Sequence, residues 1–311
     1  MRIAFAGTPS LAVTALDALV ESHHDVVGVI TRPDARAGRG KKLTPSPVAE
    51  RGDQLELPVL KPAHPKDEDF QRELAAWQVE AVAVVAYGAM LPQSALDLVP
   101  QGWINLHFSL LPRWRGAAPV QRAILGGDLS TGATTFRIVK ALDAGPMFRT
   151  VTMMISSTAT SGQLLEELAV AGGPLLVQTF DDIAAGVEPV DQPDEGVSTA
   201  AKITMEEAHV RWDRPAAEVS RQVRAMTPSP GAWSLLHDEV FKVLDVVVPS
   251  EPSARLPRLA PGELWADKRH LWCGTASHPV ELSQVKAAGK RAMAGADWAR
   301  GADLSEDSIL G

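Results

Sequence analysis

Three observations predict an α/β architecture: a doubly wound, mostly parallel sheet followed by a smaller β-barrel domain. From Arg2 to about Ala185, short runs rich in β-branched and apolar residues alternate with helical patterns, the order that builds a parallel sheet covered on both faces. Residues 81–86 are continuously apolar, as in strands buried on both sides. Between Gly186 and Ala201 the chain turns polar, with Gly186, Pro189, Pro193, Gly196 and four acidic residues, and short strand-like runs dominate beyond it. A length of 311 residues suits two domains. The expected boundaries are 1–188 for the first domain, 189–205 for a linker and 206–311 for the second.

The elements follow in order. Residues 2–6 form a strand, and Thr8-Pro9 opens a helix over 11–20, with Thr8 as N-cap and Pro9 at the first helical position. Strands are expected at 25–31 and 58–60, a helix at 67–77 and the buried strand at 81–86. Residues 103–108 are a strand, 118–125 a helix, 133–139 and 148–155 strands, and 161–185 a closing helix. In the second domain a helix over 215–226 precedes strand-like runs at 240–248, 262–265, 270–274 and 280–286. A helix followed by several short strands suggests a small barrel of the OB type.

Composition narrows the function classes. Apolar residues make up 45% and charged residues 22% of the chain, which is ordinary globular composition. The single cysteine, Cys273, has no internal disulfide partner. The longest uncharged apolar run, 81–91, is eleven residues, too short to span a bilayer. The first eight residues read as a buried strand rather than a leader, so a cytoplasmic protein is expected. The net charge of −8 argues against a uniformly basic nucleic-acid binder, but phosphates meet local patches and not the sum. Over 206–311 there are 13 Lys+Arg against 15 Asp+Glu, a net of −2, so binding there needs a patch.

The chemistry concentrates at Asn105-Leu106-His107. Residues two apart on a strand share a face, so Asn105 and His107 project together near the strand's end. An amide donor beside an imidazole suits acyl transfer, in which preorganised donors hold an oxyanion. Taken alone, the pair reads more readily as a polar strand end. A second feature is the loop holding Arg36, Arg39, Lys41 and Lys42, spaced by Gly38 and Gly40. It is cationic enough to settle on nucleic-acid phosphates, although a solvated surface loop has the same composition.

The stretch Ser109-Leu110-Leu111-Pro112-Arg113-Trp114-Arg115-Gly116-Ala117-Ala118-Pro119-Val120-Gln121-Arg122, taken with Asn105, His107 and Leu142-Asp143-Ala144-Gly145, resembles the folate-dependent formyltransferase family. Phe5-Ala6-Gly7-Thr8-Pro9, the 37–47 loop and Ala287-Ala288-Gly289-Lys290-Arg291-Ala292-Met293 resemble the branch acting on methionyl initiator tRNA, so the likeness spans nearly the whole chain. The resemblance implies a Rossmann-like first domain and catalytic residues Asn105, His107 and Asp143. It implies 10-formyltetrahydrofolate as formyl donor, no metal, and a monomer. The folate would lie between Tyr87, Gly88, Ala89, Met90 and Leu91 on one side and Ser109, Leu110, Leu111 and Pro112 on the other. Asn105 and His107 would hold the oxyanion, while Asp143 would orient His107 and help remove the amine proton. The tRNA would be gripped by Arg36, Arg39, Lys41 and Lys42, and in the second domain by Lys286, Lys290 and Arg291. Phe108 and Pro146 depart from the family pattern, which favours a small and an acidic residue there.

Other readings are weaker. Gly7 has no glycine two residues on, so the dinucleotide fingerprint is missing. His64, His209, His237, His270 and His278 show no metal-ligand spacing, and His23-His24 reads as a surface helix end. Trp77, Trp103, Trp265 and Trp272 are expected in the core. A formyltransferase of small amines would share the catalytic trio but not the two basic segments, and a plain RNA-binding module would not need the trio.

Overall fold

The computed structural model describes residues 1–37, 42–249, 256–302, 304 and 308–311. In chain order the elements are β1 (Arg2–Gly7), α1 (Ser10–Val20), β2 (Asp25–Ile30), β3 (Ala35–Ala37), β4 (Lys42–Thr44), α2 (Pro47–Gln54), β5 (Val59–Leu60), α3 (Glu68–Ala76) and β6 (Ala81–Val85). They continue with α4 (Gln93–Leu96), β7 (Trp103–His107), β8 (Arg115–Gly116), α5 (Pro119–Gly126), β9 (Ser130–Arg137), β10 (Met147–Met154), α6 (Ser161–Ala184) and β11 (Thr199–Ala200). The remainder is α7 (Ala216–Met226), β12 (Trp233–Leu236), β13 (Glu239–Val247), β14 (Leu264–Ala266), β15 (Leu271–Cys273), β16 (Val280–Lys286), β17 (Met293–Ala294) and α8 (Gly295–Ala299).

The chain divides into two compact units. The first comprises Met1–Pro119, Ser130–Met154 and Leu165–Ala200, and the second Val120–Leu129, Ile155–Leu164 and Ala201–Gly311. The stretch expected as a linker therefore contributes its 189–200 part to the first unit, where β11 pairs with β8.

The first unit is built on a seven-stranded sheet of order β10-β9-β7-β6-β1-β2-β5. The five strands β5, β2, β1, β6 and β7 run parallel; β9 pairs antiparallel with β7, and β10 pairs antiparallel with β9, so the sheet is mixed at one edge. Every residue of β6 is buried, as its unbroken apolar run requires. Thr8 does not cap α1: Pro9 holds the N-cap position with no side-chain bond. The Thr8 Oγ1 instead donates to the Tyr87 carbonyl at 2.8 Å, because the strand end of β1 lies beside that of β6. Ser46 does cap α2, accepting from the Ala49 amide at 3.0 Å, with Pro47 in the first turn.

The second unit carries a curled antiparallel sheet of order β12-β13-β16-β15-β14, with β17 on β16. Its apolar face packs on α7 residues Val219, Val223 and Met226, together with Phe241, Val243, Leu282 and Val285. Cys273 is fully buried in this core, and burial pushes its thiol well above the usual range. Trp265 is not core. It faces Trp272 across β14 and β15 and is 42% exposed, since strand alternation gives the inner face to Leu264, Leu271 and Cys273. Trp103 is buried, its indole N–H donating to the Ala95 carbonyl at 2.9 Å.

His24 also departs from a surface helix end: it is 6% exposed. The Nε2 atoms of His23 and His24 lie 2.9 and 3.2 Å from the same Asp181 oxygen. Among the described residues no helix is long and apolar enough to cross a membrane.

Candidate active site

Parallel β6 and β7 are neighbours, with Val84 opposite Asn105. Both end at the same sheet edge, where open α/β folds bind ligands. A cavity of about 530 Å³ opens there, lined by Val84, residues 86–91 and 105–108, Gly116, Ala117, Pro119, residues 138–140, Leu142 and Asp143. Asn105, His107 and Asp143 are thus brought together in one lining, to which Tyr87, Gly88, Ala89, Met90 and Leu91 all contribute. Met90 and Leu142 are 74% and 60% exposed apolar residues of the lining.

Ser109, Leu110, Leu111 and Pro112 are not part of the lining. Ser109 is buried, its hydroxyl donating to the Arg113 carbonyl at 2.6 Å and its own carbonyl accepting from the Thr134 hydroxyl at 2.7 Å. Leu110 packs against Gly132. This turn shapes the loop that follows. Phe108 does line the cavity; Pro146 does not, and its carbonyl accepts from the Arg137 amide at 2.9 Å.

The three polar residues differ in how they are held. No described residue bonds the Asn105 side-chain amide, so its N–H groups remain available to a ligand. His107 is buried, and its Nε2 donates to the Trp114 carbonyl at 2.8 Å. That bond fixes the proton on Nε2 in the neutral ring and turns Nδ1 toward Asp143, whose Oδ2 is 3.7 Å away. Burial pushes the imidazolium below its ordinary range, opposed by the Asp143 charge and the Trp114 carbonyl. The same Oδ2 of Asp143 accepts from the Gly116 amide at 2.8 Å.

Asp143 itself sits at φ +47°, a left-handed conformation that Asp tolerates better than most residues but still at some cost. Gly145 follows under a tighter constraint: a Cβ there would lie 1.8 Å from the Arg137 carbonyl oxygen. The Trp114–Gly116 stretch is strapped by the 198–200 segment. Ser198 accepts from the Trp114 amide through its hydroxyl and from the Arg115 amide through its carbonyl, both at 2.9 Å. Tyr87 is buried in the lining with no partner for its hydroxyl among the described residues, and burial pushes that phenol up to about 12.

The basic candidates fall in two places. In the first unit Arg36 and Lys42 are exposed on the paired β3 and β4, whereas Arg39 and Lys41 lie outside the described residues. In the second unit Lys286 ends β16, and Lys290 and Arg291 lie on the turn before β17, all three exposed. Lys286 stands opposite Lys242 across the β13–β16 pair, a like-charge arrangement that favours an anionic partner. Gly116, Ala117, Pro119, residues 138–140 and Leu142 are lining residues that the sequence reading missed. The 138–140 segment directly follows β9, which was the available signal.

Residues 1–180 match the formyl transferase family, and residues 202–303 match the formyl transferase C-terminal domain. The chain is 52% identical to the methionyl-tRNA formyltransferase of Streptomyces coelicolor, covering 100% of both. It is 50% identical to the enzyme of the same name from Mycobacterium marinum, covering 98% of each chain. Among solved structures, an N-formyltransferase from Helicobacter canadensis in complex with folinic acid and dTDP-3-aminofucose superposes with a TM-score of 0.67 at 16% identity, over 90% of this chain and 97% of that one. A methionyl-tRNA formyltransferase from Clostridium thermocellum gives a TM-score of 0.57 at 14% identity, over 80% of this chain and 94% of that one. At those identities the structural likeness speaks for the fold.

Proposed function

The chain belongs to the formyl transferase family, carrying its catalytic and its C-terminal domain, and we propose that it moves a formyl group from 10-formyltetrahydrofolate to the α-amine of methionyl initiator tRNA. The observation that carries this reading is the convergence of Asn105, His107 and Asp143 on one cavity, with the Asn105 amide bonded by no described residue. Full-length identity to relatives bearing that enzyme's name supports the acceptor.

The residues present fit the donor. The cavity has the size of a small-molecule site and offers backbone of residues 86–91 to a polar edge. The buried Tyr87 hydroxyl lacks a protein partner among the described residues, as a group reserved for a ligand would. When bound, 10-formyltetrahydrofolate supplies the formyl carbon and a nitrogen leaving group. The Asn105 amide then donates to the carbonyl oxygen as charge develops on it. The Asp143 carboxylate and the Nδ1 face of His107 take up the proton that the attacking amine loses and return it to the leaving nitrogen. The Trp114 carbonyl keeps the His107 ring in register while this happens.

Arg36, Arg39, Lys41 and Lys42, with Lys286, Lys290 and Arg291, are the residues we assign to the tRNA phosphates. Domain limits of 1–188, 189–205 and 206–311 remain our division by role. The catalytic cavity is complete within one chain, which supports a monomer, and charged tRNA as substrate supports a cytoplasmic site of action.

The test is formyl transfer from 10-formyltetrahydrofolate to charged initiator methionyl-tRNA, with uncharged and elongator tRNA as controls. Transfer to the charged initiator alone is expected. Folate binding without transfer to tRNA would redirect the assignment to small-amine acceptors.

A further inference from the structure

We propose that Gln192 is a positioning residue that holds the Asp143 turn in its working geometry. The proposal rests on the catalytic assignment of Asp143 made above. Gln192 is half-buried in a stretch where Asp191 and residues 193–197 are all exposed. Its side chain has a reason to be there. The Nε2 donates to the carbonyls of Asp143 and Gly145, both at 2.8 Å. The Oε1 accepts from Arg115 Nε at 3.0 Å and Nη2 at 2.7 Å.

All four hydrogen-bonding positions of the amide are therefore filled, two as donor and two as acceptor. The orientation follows from chemistry. A guanidinium only donates and two carbonyls only accept, so the amide can sit one way round. Arg115 adjoins Gly116, whose amide holds the Asp143 carboxylate. One side chain thus joins the backbone of the left-handed Asp143 turn to the loop that grips its Oδ2. Glutamate would keep the Arg115 contact but has no N–H to offer the carbonyls, and asparagine is shorter by one methylene.

The experiment compares wild type with Gln192→Glu and Gln192→Met. A small displacement of a catalytic group costs up to about 100-fold in rate, so kcat should fall by about 10- to 100-fold, with KM for donor and acceptor changed by no more than about two-fold. In Gln192→Met, whose side chain adds no charge, the midpoint of the His107 titration, followed by NMR without substrate, should move down, because Asp143 is the charge that holds it up. A purely structural role would lower the melting temperature and leave both readouts alone. Retained kcat in either folded variant, or a change confined to KM, would overturn the proposal. If the wild type itself fails to formylate the charged tRNA, the functional reading falls, and the His107 titration alone decides whether Gln192 positions Asp143.

Discussion

The two polar walls of the cavity are built by different means. Asn105 and His107 stand on β7, which pairs with β6 from Trp103 to Asn105 and with β9 from Ile104 to His107. Their direction follows from the ladder and a period of two. Asp143 stands on an irregular turn between β9 and β10, at positive φ, and its carboxylate is placed by an amide from another loop. A strand end comes with its own positioning. A turn must be positioned by residues remote in sequence, here Gly116 and the 190s segment. The lesson is that the same catalytic set contains one part robust to local change and one part that depends on long-range bonds.

Three measurements would break or sharpen this contrast. The largest effect is expected from Asn105→Ala. Removing one oxyanion donor costs about 2.7–4 kcal/mol, so kcat should fall about 100- to 1000-fold, while melting behaviour stays near wild type because no described residue bonds the side-chain amide. A rate within ten-fold of wild type would remove Asn105 from the chemistry. Next is Gly145→Ala, aimed at the turn. Its Cβ would meet the Arg137 carbonyl, and such overpacking costs about 1–3 kcal/mol. Both thermal stability and kcat should drop together, in contrast to Asn105→Ala, and a variant with unchanged melting and turnover would show that the turn is looser than described.

The smallest effect is in pH. Burial holds His107 below its ordinary value of 6.5, so the native protein prefers the neutral ring. As pH falls below 6.5 the unfolded chain takes up that proton first, and stability should decline in this range. The acidic limb of kcat/KM should likewise lie below pH 6.5. Asp143 raises the His107 value, so Asp143→Asn should move the His107 midpoint lower still, and an upward shift would contradict the pairing.

Much of this was legible in the sequence, and the gaps have physical causes. The alternation of strands and helices, the buried β6 and the projection of Asn105 with His107 follow from periodicity. The direction of β9 and β10 does not, because a short amphipathic strand carries no mark of parallel or antiparallel pairing. Thr8 looked like a cap because Thr-Pro suits one locally; its hydroxyl found the Tyr87 carbonyl, which is distant in sequence. The helix α2 was missed although Ser46-Pro47 announces it. Asp143 was placed only through resemblance, since nothing local to Leu142-Asp143-Ala144-Gly145 points it at β7. Gln192 sat in a Pro- and acid-rich stretch that reads as linker, and its four contacts are invisible to any local pattern.

The lone thiol has a practical use. Cys273 is the single cysteine in 311 residues and is sealed in the core of the second unit. A thiol-reactive dye should therefore ignore the native protein and label it only when that unit opens. The labelling rate then becomes a clock for the opening of one unit, read without any engineered probe and separately from events at the catalytic cavity.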